Sequence, residues 1–414
     1  MFFNLKITDL KVTPVAVPRG QIYSRYSGGR PGSNTLTAVI IEVSTDEGIT
    51  GIGESPNPVG AEVTKNLIES TMPMLVGENP LNVEQVKKKL YAYYNLTHLH
   101  IHAANWALNG IDIALWDILG KVCKQPLYRL WGGAFRKKIP YYGSVPSSGT
   151  LRENRKDGLK RIAEQSEQHI KNGFTTIYAK IGFNPIDDIE CVKTMREAAG
   201  YGEINVRVDA NQAWSPGEAI RIISKMSKYD LEFVDQPVLM YNLDNLARVR
   251  GAVDVPIASH ESSWTLYEAL NVIKREVADV IHVDPRFDAG YMGAKITAGI
   301  AEASGLPVVL HTFGELGVSQ AAHMHLIASC PNFLYANQNG YDSTIDDIID
   351  GGKMQFKNGC LDLPEKPGIG VELDREKMEI YNKNYEENVK GKEFLRIQKA
   401  PQYSLMGYRR FFGY

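Results

Sequence analysis

The chain has 414 residues, 43% of them hydrophobic and 23% charged, with a formal net charge of −2. That balance suits a globular chain long enough for one large domain and a smaller one, and it offers no electrostatic case for binding nucleic acid or a membrane surface. No apolar run reaches the roughly 18 residues of a membrane span, and Cys123, Cys191, Cys330 and Cys360 are spaced for reduced thiols rather than a disulfide frame or zinc ribbon.

The opening "MFFNLKITDLKVTP" reads as a strand and lacks a signal peptide's basic end, long apolar run and cleavage site, so a cytoplasmic location is expected. "LKVTPVAVP" and "TAVIIEVSTDEGITGIGES" predict antiparallel strands, the second interrupted by the turn "TDEG". Between them "RGQIYSRYSGGRPGSN" has glycines for mobility and polar reach from Tyr23, Arg25, Tyr26 and Arg30. Helical patterns follow over "AEVTKNLIESTMPML", "NVEQVKKKLYAYY" and "AANWALNGIDIALWDILGKVC"; in the last, Trp106, Leu108, Ile111, Leu115 and Ile118 fall mostly at helical spacing. His98, His100 and His102 alternate as in a metal-binding strand, but they run straight into a helix with no acid or cysteine beside them. A contact to substrate suits them better than a zinc site.

From about residue 139 the texture changes to short β-branched runs alternating with helical segments, the pattern of βαβ units and a parallel sheet. In order the runs are "IPYYGSV", "TTIYAKIG", "INVRVDANQ", "LEFVDQP", "VPIASHES", "DVIHVDP", "LPVVLHTF" and "NFLYANQ". Eight such units close into a (β/α)8-type barrel, whose active sites gather at the C-terminal ends of the strands. Seven of the runs end on Lys180, Asp209, Asp235, Glu261, Asp284, His311 and Asn337 or Gln338. Asp209, Asp235 and Glu261 follow one another at intervals of 26 residues. The expected division is residues 1–135 for a smaller α+β part, 136–375 for the barrel and 376–414 for a segment returning to the smaller part. The tail "QYSLMGYRRFFGY" is expected to lie on that part or on a neighbouring subunit of a homo-oligomer.

Three carboxylates on successive strands form a hard oxygen site suited to one Mg²⁺. Each could instead cap the helix after its strand. Lys180 precedes the first acid by one strand, and His311 lies beyond Asp284. An Asp beside a His holds the imidazole's tautomer and raises its basicity.

The ordered set "YAKIG", "VDAN", "VDQP", "ASHES", "VDP" and "LHTF", with "GIDIALWDILGK", "LYRLWGG" and "LDLPEKPGIGVEL", resembles the enolase superfamily and its mandelate racemase subgroup over nearly the whole chain. The resemblance implies an α/β fold: a modified (β/α)7β barrel covered by an α+β capping domain built from both chain ends. It implies removal of the proton α to a carboxylate, with Asp209, Asp235 and Glu261 on Mg²⁺, Lys180 as one acid/base and His311 with Asp284 as the other. Asn211 would touch the substrate or the metal's surroundings. The chemistry of that superfamily, a Lys or His base with Mg²⁺ opposite the developing oxyanion, fits these residues.

Four positions depart from the family pattern. Tyr178 stands where a second lysine is usual, Asp235 where Glu is usual, and His260 precedes Glu261 as an alternative ligand or substrate contact. Asn337 and Gln338 replace a glutamate near the substrate carboxylate. A lysine beside Lys180 would depress its pKa by like-charge repulsion; Tyr178 withdraws that help and favours an ammonium. One working base suits a dehydratase, so the expected reaction is dehydration of a sugar acid to a 2-keto-3-deoxy acid, with His311 as the base. A racemase or epimerase is the alternative, and a non-catalytic barrel used for binding or assembly is the alternative of another class. The polar loop from Arg19 to Asn34 suits a hydroxylated acid, since arginine pairs bidentately with carboxylates.

Overall fold

The computed structural model describes residues 4–20, 35–56, 60–96, 101–152 and 154–392. Tyr23, Arg25, Tyr26, Arg30, His98, His100, the side chain of His102 and the chain from 393 onward lie outside the described residues.

Strands β1 (Ile7–Pro18), β2 (Thr35–Thr45) and β3 (Thr50–Ser55) pair antiparallel in the order β1–β2–β3. Helices α1 (Ala61–Glu69), α2 (Val83–Leu96) and α3 (Ile101–Cys123) follow. Leu108, Ile111, Leu115 and Ile118 of α3 are all buried, as their spacing predicts. The approach of β3 to α3 requires glycine: a Cβ on Gly53 would stand 1.8 Å from the carbonyl oxygen of Gly110.

The barrel then builds in chain order: β4 (Lys138–Pro140), β5 (Gly143–Ser144), α4 (Arg155–Lys171), β6 (Thr176–Lys180), α5 (Pro185–Ala199), β7 (Asn205–Asp209) and α6 (Pro216–Met226). It continues with β8 (Leu231–Asp235), α7 (Leu243–Arg250), β9 (Ile257–Ser259), α8 (Leu266–Lys274), β10 (Val280–Val283), α9 (Tyr291–Ala303), β11 (Val308–Leu310) and α10 (Gly317–Ala328). Strands β5 to β11 form one parallel sheet, each beside its sequence neighbour. The run "IPYYGSV" is split. Its first half, β4, pairs antiparallel with β12 (Cys360–Asp362), and its second half opens the parallel sheet.

The eighth run has no ladder of its own and instead bridges the two edges of the sheet. Asn337 N donates to Pro140 O (2.9 Å), Tyr142 N to Asn337 O (3.1 Å) and Gln338 N to Leu310 O (3.2 Å). The Asn337 side chain completes the seam: its Oδ1 accepts from Leu310 N at 3.0 Å and its Nδ2 donates to Pro140 O at 3.2 Å. This corrects its expected place at the substrate. The bend leaves buried backbone groups without ladder partners, and the side-chain amide satisfies them.

Inside the ring, Arg207 is fully buried. Its guanidinium lies 4.2 Å from the ring centre of Phe233 and bonds Glu232 at 2.7 Å and Ala336 O at 2.8 Å, so the buried cation has both charge and hydrogen-bond partners.

Two contacts fasten the antiparallel sheet to the barrel. Glu54, on β3, accepts from Leu316 N and Ser319 N, each at 2.8 Å, at the N-terminus of α10, where unpaired N–H groups favour a carboxylate. Helix α11 (Arg375–Asn384) returns to β1, with Asn382 Nδ2 on Pro14 O (2.8 Å) and Asn384 Nδ2 on Ala16 O (2.7 Å). All four cysteines are free. No described helix is long and apolar enough to cross a membrane.

Candidate active site

Strand register decides which side chains meet. Lys180 pairs with Asp209 across β6 and β7, and Asp209 with Asp235 across β7 and β8, so the three stand side by side. Asp235 then pairs with Ala258, and Ala258 with Val280. Alternate strand residues share a face, so the position two beyond Ala258, His260, continues the inward row. Glu261 falls one residue out of phase, in a 3-10 turn over Glu261–Ser263.

None of the three acids caps the helix that follows it. Ser215 caps α6 in a reciprocal box with Glu218, Asn242 caps α7, and Thr265 caps α8 in a box with Glu268. The carboxylates are left for other work.

Asp209 is held by cations and donors. Its Oδ2 takes the Tyr178 hydroxyl at 2.9 Å and the Lys180 ammonium in a short ion pair; its Oδ1 takes Asn211 N at 2.6 Å. Burial is the largest single influence and opposes its ionisation, but the Lys180 charge, His260 and the hydrogen bonds from Lys180 and Asn211 together hold the carboxyl below its usual value. Lys180 also donates to Asn211 Oδ1 (2.6 Å), and Asn211 Nδ2 donates to Glu261 Oε1 (3.2 Å). Tyr178 stacks on Tyr142 with ring centres 4.2 Å apart, which fixes its hydroxyl.

A histidine cluster occupies the middle of the site. The His260 ring stacks on His282, and its edge meets His311, both at 4.2 Å between centres. His282 Nε2 lies 2.6 Å from Asp235 Oδ1. His260 Nδ1 is 3.9 Å from Asp209 Oδ2 and 3.8 Å from Glu261 Oε2. Both ring nitrogens of His260, Nδ1 of His282 and Oε2 of Glu261 are buried without a hydrogen-bond partner. Burial lowers His260 and His282 to about 3, leaving neutral imidazoles, while burial and the nearby Asp209 charge raise Asp235.

Orphaned lone pairs beside crowded carboxylates fit a dication. Among the described residues, Asp235, His260 and His282 form the one group of three or more potential His, Cys, Asp or Glu ligands whose donor atoms all lie within 4.8 Å of one another. Asp209 and Glu261, expected to share the ion with Asp235, are not in that group, although both reach within 4 Å of His260 Nδ1.

His282 and Arg286 were not singled out from sequence. His282 sits two residues before Asp284, hence on the same inward face, and that parity was the available signal. Arg286 grips Asp284 through Nε and Nη2, both at 2.8 Å, and Asp284 Oδ2 meets His311 Nδ1 at 2.7 Å. Burial opposes the Asp284 charge, but Arg286 and His311 hold this carboxyl well below its usual range. Burial lowers His311 to about 4 against the pull of Asp284, so the imidazole is neutral near pH 7 and its Nε2 can receive a proton.

Lys180, Asn211, His260, Glu261, His311 and Gln338 line one cavity of about 450 Å³. Its outer wall carries Ser147, Thr150, Arg161 and Gln165, with Trp264 and Phe313 as apolar surfaces. Arg161 Nε and Gln165 Oε1 are also buried without a partner. Neither was anticipated, because both come from helix α4 rather than from a strand end.

Two family models match the chain: "Enolase C-terminal domain-like" over residues 161–377 and "Mandelate racemase / muconate lactonizing enzyme, N-terminal domain" over residues 29–132. An arabinonate dehydratase of Saccharolobus solfataricus is 28% identical over 82% of this chain and 88% of that enzyme. A hydrophobic dipeptide epimerase of Enterococcus faecalis is 30% identical over 81% of this chain and 91% of that enzyme. The crystal structure of an isomerase from Streptomyces coelicolor A3(2) superposes with a TM-score of 0.81 at 28% identity, covering 92% of this chain and 99% of that one.

Proposed function

The chain belongs to the enolase superfamily, in its mandelate racemase/muconate lactonizing enzyme group, and from that premise we propose that it dehydrates a hydroxylated carboxylic acid, an aldonate or aldarate, to a 2-keto-3-deoxy acid. One observation carries the reading. A neutral histidine braced by Asp284 and a lysine ion-paired to Asp209 line the same cavity.

The two groups are not equivalent. His311 presents Nε2 as a base, whereas Lys180 is engaged by Asp209 and Asn211 and serves as an acid. His311 takes the α-proton, and the electron pair of that C–H bond moves into the substrate carboxylate as an enediolate, then returns to form the C–C π bond as the β C–O bond breaks. Lys180 gives its proton to the departing hydroxyl, which leaves as water, and the resulting enol tautomerises to the keto acid. The residues present fit a divalent cation, which Asp235, His260 and His282 would hold with Asp209 and Glu261 alongside. Bound there, it supplies positive charge opposite the second negative charge that builds on the substrate carboxylate.

The substrate class follows from the wall. Ser147, Thr150, Gln165 and Gln338 suit hydroxyl groups, and Arg161 suits a distal carboxylate. A relative named as an arabinonate dehydratase supports this reading; relatives named as racemases and epimerases correspond to the alternative outcome. Screening aldonates and aldarates for keto-acid release tests it. Turnover with loss of one water is expected; optical change at constant mass would replace dehydration by epimerisation.

A further inference from the structure

We propose that the metal seat of this chain is a mixed nitrogen–oxygen site, with His260 and His282 as ligands beside Asp235, that takes a first-row transition dication in preference to Mg²⁺. The inference rests on the dehydratase reading only in placing a dication in this cavity.

The register argument carries it first. Just past the end of the strand after Asp235, the inward row continues at His260, and the carboxylate of Glu261 starts one residue later in a turn. The row of three acids legible in the sequence therefore becomes, in space, two acids followed by an imidazole. The next strand extends the same row: Ile281 pairs with Ser259, which sets His282 beside His260, and their rings stack.

Availability carries it second. Asp209 Oδ2 is already claimed by an ammonium and a hydroxyl, and Glu261 Oε1 by the Asn211 amide, which leaves Glu261 only Oε2 to offer at the edge of the site. The His260 nitrogens and His282 Nδ1 have no such partners, in a place closed to bulk water. A buried imidazole with both nitrogens unsatisfied is rare unless something absent from the protein chain completes it.

Donor chemistry carries it third. Mg²⁺ is hard, keeps oxygen ligands and binds imidazole poorly. Zn²⁺, Co²⁺, Ni²⁺ and Fe²⁺ accept imidazole readily, and two imidazoles with a carboxylate form a familiar set for them. The substitution of His for an oxygen donor thus changes which ion the site prefers.

The test uses the full chain, stripped with chelator and titrated calorimetrically with Co²⁺ and with Mg²⁺. Co²⁺ is expected to bind more than about 100-fold tighter, and His260→Asp to narrow that gap to about tenfold by strengthening Mg²⁺. One equivalent of Cu²⁺ is expected to show imidazole nitrogen splitting in its electron paramagnetic resonance spectrum, weakened in both His260→Gln and His282→Gln. Mg²⁺ binding within tenfold of Co²⁺, or nitrogen splitting absent from the unaltered chain or untouched by both glutamine variants, overturns the proposal. If a variant does not fold, the affinity ratio and the spectrum of the unaltered chain still decide. Keto-acid release is scored separately. Nitrogen ligation without keto acid keeps this inference and sinks the dehydratase, and dehydration on an all-oxygen site does the reverse.

Discussion

His311 Nδ1 stands 2.7 Å from Asp284 Oδ2, and Arg286 closes on the other side of the same carboxylate through two bonds of 2.8 Å. The carboxylate is thus kept ionised in a buried place, and the imidazole proton is kept on Nδ1. Nε2 then carries the lone pair, which is the condition for a base at neutral pH.

Asymmetry between the two sides of the site is the first prediction. His311→Asn should cut deuterium exchange at the α-carbon by about 10²- to 10⁴-fold, the usual worth of a positioned base. Lys180→Met should keep most of that exchange and lose keto-acid release. Proton NMR in D₂O alongside a keto-acid assay reads both, and the reverse pattern would assign the base to Lys180.

Arg161 provides the second. With Nε buried and unpartnered on the cavity wall, it is placed to pair with a distal carboxylate. Loss of a charge-assisted hydrogen bond costs about 1.5–3 kcal/mol, or roughly 10- to 100-fold. Arg161→Ala should therefore raise KM for aldarates at least about tenfold more than KM for the matching aldonates. An equal rise for both would detach this arginine from the second carboxylate.

Asn337 separates a structural role from a binding one. Its Oδ1 accepts from Leu310 N, and its Nδ2 donates to Pro140 O at the seam of the ring. Asn337→Ala should cost about 1–3 kcal/mol in urea unfolding by leaving a buried N–H without an acceptor. A rise in KM at unchanged stability would return this amide to the substrate.

Glu54 makes stability depend on pH. Burial pushes its carboxyl up to about 8 against the pull of the Leu316 and Ser319 N–H groups, with Glu315 and Asp347 adding repulsion. Its ordinary value is 4.5, so between 4.5 and about 8 the folded chain holds a proton that the unfolded chain has released. The stabilisation from this group is complete below the lower value, declines at up to roughly 1.4 kcal/mol per pH unit across the interval and is lost above the upper one. The melting temperature of the parent should fall between pH 6 and pH 9 more steeply than that of Glu54→Gln, which has no proton to lose. Parallel curves would show that Glu54 is ionised throughout.

Much of the frame was legible in the amino-acid order. Alternating and β-branched runs separated by helical segments specify strands and helices through contacts only a few residues apart, and the side chains ending those runs named Lys180, Asp209, Asp235, Asp284 and His311. The polar loop expected after β1, with its tyrosines and arginines, lies outside the described residues. Asn337 was misplaced because its partners, Leu310 and Pro140, are distant in sequence and meet only when the ring closes.

By itself the sequence determined the barrel with its capping sheet, and which residues crown the strands, since side-chain periodicity and chain connectivity are local properties. Tertiary structure alone decided which of those crowns touch. The phase between strands put His260 in the row beside Asp235 with Glu261 one residue out of step, and stacked His282 on His260. Phase between strands is settled by hydrogen-bond register across the sheet, and no single strand carries that information.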